Sequence, residues 1–93
     1  MNMRHASVDE VERIQIILKE LRNIDGIREN QIGHFYFKGK NVIHFHTHQD
    51  DIYADIGDTR IKLTLPMDTV QIAEILNNVN QYMIKIAEER RKH

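Results

Sequence analysis

Apolar residues at Val11, Ile14, Ile17, Leu18 and Leu21 follow the spacing that lines one face of an α-helix. Ser7 with Glu10 three positions later forms a capping box ahead of them, which predicts a helix over residues 8–23. Asp25-Gly26 supplies the stop, because glycine accepts the left-handed conformation that closes a helix. A longer stripe of the same period, through Ile72, Ile75, Leu76, Val79, Met83 and Ile86, follows Pro66 and the cap pair Asp68 and Gln71. Between these helices the period falls from 3.6 to 2 and Gly or Asp recurs at short intervals, the pattern of an antiparallel meander. Four strands are expected, over 33–38, 41–48, 51–57 and 60–65, with tight turns at Lys38-Gly39-Lys40, around Gln49-Asp50 and around Asp58-Thr59.

Alternation sorts the strand residues onto two faces. Phe35, Phe37, Ile43, Phe45, Ile52, Ala54, Ile56, Ile61, Leu63 and Leu65 fall on one, which the helical stripes need for burial. The other carries His34, Tyr36, Lys38, Val42, His44, His46, His48, Asp51, Tyr53, Asp55, Arg60, Lys62 and Thr64. The expected architecture is a single α+β domain over residues 1–93 in the order α-β-β-β-β-α. It is a two-layer sandwich, with both helices on one face of a four-stranded antiparallel sheet and the polar face left uncovered.

Tight turns also set which residues meet, since cross-strand neighbours share a face. Pairing Thr47 with Ile52 places His48 opposite Asp51, His46 opposite Tyr53 and His44 opposite Asp55. Pairing Phe35 with Ile43 places His34 opposite His44, and pairing Ala54 with Leu63 places Asp55 opposite Lys62. One row across the sheet then reads His34, His44, Asp55, Lys62.

Composition narrows what this face can do. The chain has no cysteine, so any metal must sit on histidine and carboxylate. A net charge of −1 offers no broad attraction to nucleic acid or to an anionic membrane. The basic cluster Arg90-Arg91-Lys92 suits a helix C-terminus instead. No apolar run reaches the roughly 18 residues of a membrane span, and the opening MNMRHASVDE lacks the apolar centre of a signal peptide, so a cytoplasmic protein is expected.

Three chemistries fit the polar face. Two histidines at alternate strand positions, with a cross-strand histidine or carboxylate, can converge on a divalent ion such as zinc; His34, His44, His46 and Asp55 are the candidate ligands. Histidine beside aspartate suits proton transfer near neutral pH, which makes His44, Asp55 and the neighbouring Tyr53 candidate catalytic residues. The third is an interaction surface, because tyrosine and arginine favour interfaces and a small cysteine-free domain gains stability by self-association. Lys38, Lys40 and Arg60 are read as residues that keep turns and edges soluble.

The aromatic strand and Gly-containing turn from Phe35 to Gly39, a His-x-His pair at His44 and His46 (or His46 and His48), and Asp55-Ile56 resemble the small luciferase-like domain family, a domain of unknown function in bacteria and archaea. Two features depart from its pattern: the turn after His-x-His is Gln49-Asp50-Asp51 without glycine, and the segment before the last strand is shortened. The resemblance implies helices on one side of an antiparallel sheet and implies no established activity. The expected function is a small binding or assembly module that uses the His/Tyr/Asp face as a homodimer. The alternative is a metal-dependent or His/Asp acid-base enzyme on that same face, and a small-molecule ligand is compatible with either.

Overall fold

The computed structural model describes residues 4–5 and 12–92, so the Ser7–Glu10 capping box, Val11 and the first turn of the expected helix lie outside the described residues. The elements are β1 (Arg4–His5), α1 (Gln15–Arg22), β2 (Ile27–Gln31), β3 (His34–Phe37), β4 (Lys40–His48), β5 (Asp51–Ile56), β6 (Thr59–Lys62) and α2 (Thr69–Arg91). The class is α+β, as expected, but the element order is not the expected α-β-β-β-β-α and the sheet is wider than that of the expected four-stranded two-layer sandwich. Its main path runs β2-β3-β4-β5-β6 in sequence order, every pair antiparallel, with β1 joined to β4 off that path.

Strand β2 reads Ile27-Arg28-Glu29-Asn30-Gln31, without apolar alternation. It forms because Gly33, at φ 82°, turns the chain back so that Ile27 lies opposite Phe37 and Arg28 opposite Tyr36. Glu29 anchors it by accepting from Arg22 Nε at 2.7 Å and from the Gly33 amide at 3.0 Å. Both bonds hold its carboxyl below the ordinary carboxylate range, the Arg22 side chain contributing most. Strand β1 is two residues long, pairing Arg4 with Thr47 and His5 with His46.

The expected face assignment holds along β4 and β5, where Thr47 meets Ile52 and His44 meets Asp55. It fails at one residue. Between the pairs Phe35/Ile43 and Tyr36/Asn41 the ladder slips by one position, and the extra residue is Val42. A bulge of this kind lets two successive side chains share a side, so Val42 and Ile43 are both fully buried and Asn41 takes the polar face in place of Val42. Beyond the bulge Lys40 faces α2, with its Nζ 3.9 Å from Glu89 Oε2.

A second correction concerns the last hairpin. Ala54 pairs with Ile61 and Asp55 with Arg60, so the row reads His34, His44, Asp55, Arg60, and Lys62 moves beside Tyr53. The cause is the place of the two-residue turn: it falls at Gly57-Asp58, where glycine accepts φ 57°, one residue before the expected Asp58-Thr59. Because the shift is by two residues, no side chain changes face.

The buried side chains of α1 (Ile17, Leu18, Leu21) and α2 (Ile75, Val79, Met83, Ile86) join Phe35, Ile43, Phe45, Ile52, Ala54 and Ile56 in one core. Helix α2 starts as the cap pair predicts, with the Gln71 amide donating to Asp68 Oδ1 at 2.8 Å. The Gln71 side chain then ties helix to sheet: its Nε2 donates to the Lys62 carbonyl at 3.0 Å and its Oε1 accepts from the Thr64 amide at 2.8 Å. This explains why β6 ends at Lys62 and not near residue 65. Among the described residues no helix is long and apolar enough to cross a membrane.

The β4–β5 turn places two non-glycine residues in the left-handed region, Gln49 at φ 52° and Asp50 at φ 69°. That conformation costs an L-residue about 1–2 kcal/mol. Asp50→Gly is expected to stabilise the fold by roughly 0.5–1 kcal/mol, read as a higher urea midpoint with unchanged slope.

Candidate functional site

Alternation on β4 turns His44 and His46 to the face opposite the helices, and the β4–β5 register brings Asp55 and Tyr53 against them. The Asp55 carboxylate is the meeting point. Its Oδ2 lies 2.8 Å from His46 Nε2 and 3.5 Å from His44 Nε2. Arg60 grips it as a fork, Nε donating to Oδ1 at 2.8 Å and Nη2 to Oδ2 at 3.1 Å. The shorter histidine distance runs along the diagonal to His46 rather than to the direct partner His44, a reach that sheet geometry permits.

His46 is only 4% exposed, unusual burial for a side chain on a face the helices do not cover. It lies between two strands, paired through the backbone with His5 of β1 on one side and Tyr53 of β5 on the other. Its ring stacks on Tyr53 with centroids 5.9 Å apart, and the His44 ring lies 5.6 Å away on its other side. His34 stacks in turn on His44 at 5.7 Å and 14°. Four rings thus run side by side from β3 to β5.

Asn41 orients this row. Its Nδ2 donates to the Phe35 carbonyl at 3.4 Å, which turns Oδ1 towards His44 Nδ1 at 3.1 Å. An amide oxygen only accepts, so Nδ1 of His44 carries a proton in the neutral and the charged ring alike, and its Nε2 is directed at Asp55.

Burial pushes the Asp55 carboxyl up, but the Arg60 hydrogen bond and the charges of His46, Arg60 and His44 outweigh it and hold the group below its ordinary value. A carboxylate already shared among three side chains is thereby kept ionised near neutral pH.

Of the residues marked by sequence, His44, His46 and Asp55 come together, each offering one donor atom within 4.8 Å of the others. His34 is placed on the far side of His44 and stands outside that group, and Tyr53 contributes a stacking face. His48 sits opposite Asp51 at the turn, and its Nδ1 is buried without a hydrogen-bond partner among the described residues. Lys62 reaches Asp51 at 3.4 Å instead of Asp55. Two contributors escape a reading by strict alternation: Asn41, displaced by the bulge, and the partnership of Arg60 with Asp55. The Gly57-Asp58 pair is the sequence signal for the second.

Beside the rings an open depression of about 350 Å³ is lined by Gln31, His34, Tyr36, Asn41 and His44. Larger hollows of about 530 and 570 Å³ lie along α2, away from these groups. Comparison with protein-family models, curated proteins and solved structures found no match.

Asp55→Asn should destabilise the fold by about 1–3 kcal/mol at pH 7, the usual cost of removing a charged partner from partly buried hydrogen bonds. The folded-state pKa of Asp55 is depressed, so its contribution is present above the unfolded-state value and lost as pH falls through the folded one. The gap between wild type and variant should narrow on acidification below about pH 4, as measured by chemical denaturation at several pH values.

Proposed function

We propose that the protein is a small cytoplasmic binding or assembly module that works through the polar face of its sheet, as a homodimer. The observation that carries this reading is the ordered His34-His44-His46-Tyr53 row on the side opposite the helices. Rigid, partly apolar rings above an organised charge network can bury area against a partner with little loss of side-chain freedom. Tyr36 and Arg28, opposite each other on β2 and β3, extend the same surface towards the sheet edge.

The acid-base enzyme alternative, with His44, Asp55 and Tyr53, has weaker support. The depression next to these residues is open, and proton transfer catalysis is favoured by an enclosed site that excludes water. A second chain laid across the face would enclose it. The luciferase-like resemblance remains a proposal about kinship, and it adds no reaction.

Sedimentation equilibrium of the tag-free chain is expected to give a dimer at micromolar concentration, and Tyr36→Glu is expected to give a folded monomer. A strict monomer at millimolar concentration would overturn the homodimer.

A further inference from the structure

We infer that His44, His46 and Asp55 form a binding site for one divalent cation of the zinc class, and that Arg60 competes with the ion for the Asp55 carboxylate. This deepens the reading of the polar face as the functional surface, but it does not depend on dimerisation.

Three observations point to a cation. First, the donor atoms are already gathered. In a tetrahedral zinc site with bonds of 2.0–2.1 Å, neighbouring donors lie about 3.3 Å apart. The Asp55 Oδ2 distances of 2.8 Å to His46 and 3.5 Å to His44 bracket that value. All three donors lie within 4.8 Å of one another, so closure needs a movement on the order of 1 Å by the partly exposed His44 ring.

Second, His44 carries the support expected of a ligand. Metal-binding histidines commonly donate their other ring N–H to an oxygen, which fixes the tautomer and aims the lone pair. Asn41 Oδ1 is that acceptor, itself set by the bond from Asn41 Nδ2 to the Phe35 carbonyl. In the neutral ring this directs the Nε2 lone pair at a carboxylate oxygen 3.5 Å away, so a proton or a metal cation belongs between them.

Third, Asp55 can give up one bond and stay oriented. Arg60 holds Oδ1 through Nε and shares Oδ2 through Nη2. An ion on Oδ2 displaces Nη2 and takes the place of the His46 Nε2 proton, which passes to Nδ1 or to solvent, while the Arg60 Nε contact remains. Arg60 is half exposed and has room to swing outward. Three protein ligands leave a fourth position for water or a further ligand.

Zinc titrated calorimetrically into the 93-residue, tag-free chain should show one saturable site per chain at micromolar affinity or better. His44→Gln and Asp55→Asn, checked for folding by circular dichroism, should each weaken binding at least tenfold. Lys85→Gln, at an exposed position of α2, should leave it unchanged, and Arg60→Gln, which removes the opposing charge, should tighten it roughly tenfold. No saturable binding, or binding unaltered by His44→Gln and Asp55→Asn, overturns the site; weaker binding by Arg60→Gln overturns the competition. A dimer that ignores zinc removes the metal and leaves the assembly reading standing, whereas a strict monomer that binds zinc supports the site and removes the dimer.

Discussion

The antiparallel pairing of β4 with β5 is the constraint on which the rest depends. Side chains alternate along a strand, so matching His44 with Asp55 also decides that Phe45 meets Ala54 beneath the helices and that His46 meets Tyr53 above. A slip of one residue would bury histidines and expose phenylalanine. Because core and polar face are fixed by the same ladder, the apolar side supplies the stability that holds the charged groups of the other side in place. Phe45 and Ile52, almost completely buried, lie on the same strands as the histidine and aspartate side chains.

Within that ladder the carboxylate of Asp55 carries an unusual load. Partial burial removes water from it, and the compensation comes from a guanidinium that remains half exposed and a histidine that is not. Such a mixture is asymmetric. The histidine contact is sheltered from salt and solvent, whereas the arginine contact is open to both. The arrangement therefore combines a firm inner half with an outer half that exchanges readily.

Much of this was legible in the sequence, for reasons visible in individual residues. The segments His44 to His48 and Asp51 to Ile56 alternate strictly and are joined by two residues, which leaves a single register that keeps every apolar side chain inside. Helix α2 was equally plain from its long stripe and its Asp68 cap. Strand β2 was hidden because Arg28, Glu29, Asn30 and Gln31 show no apolar period, and its place at the sheet edge asks for none. The bulge was hidden because Val42 beside Ile43 looks like an ordinary β-branched pair. The β5–β6 register is ambiguous by two residues in the alternation, because a shift of two preserves faces and changes neighbours. Alternation therefore marks the candidate ligands and leaves the groups that orient them, Asn41 and Arg60, without a signal of their own.

The bulge at Val42 acts as a phase offset within a single strand. Residues after it obey the alternation that places His44 and His46, and residues before it obey the opposite one, which brings Asn41 up to His44 and Lys40 down to Glu89. Loss of one residue there would cancel the offset while the pairing of His44 with Asp55 could persist. The gathering of the histidine and carboxylate groups and the control of the His44 tautomer are thus separable, and a single codon divides them.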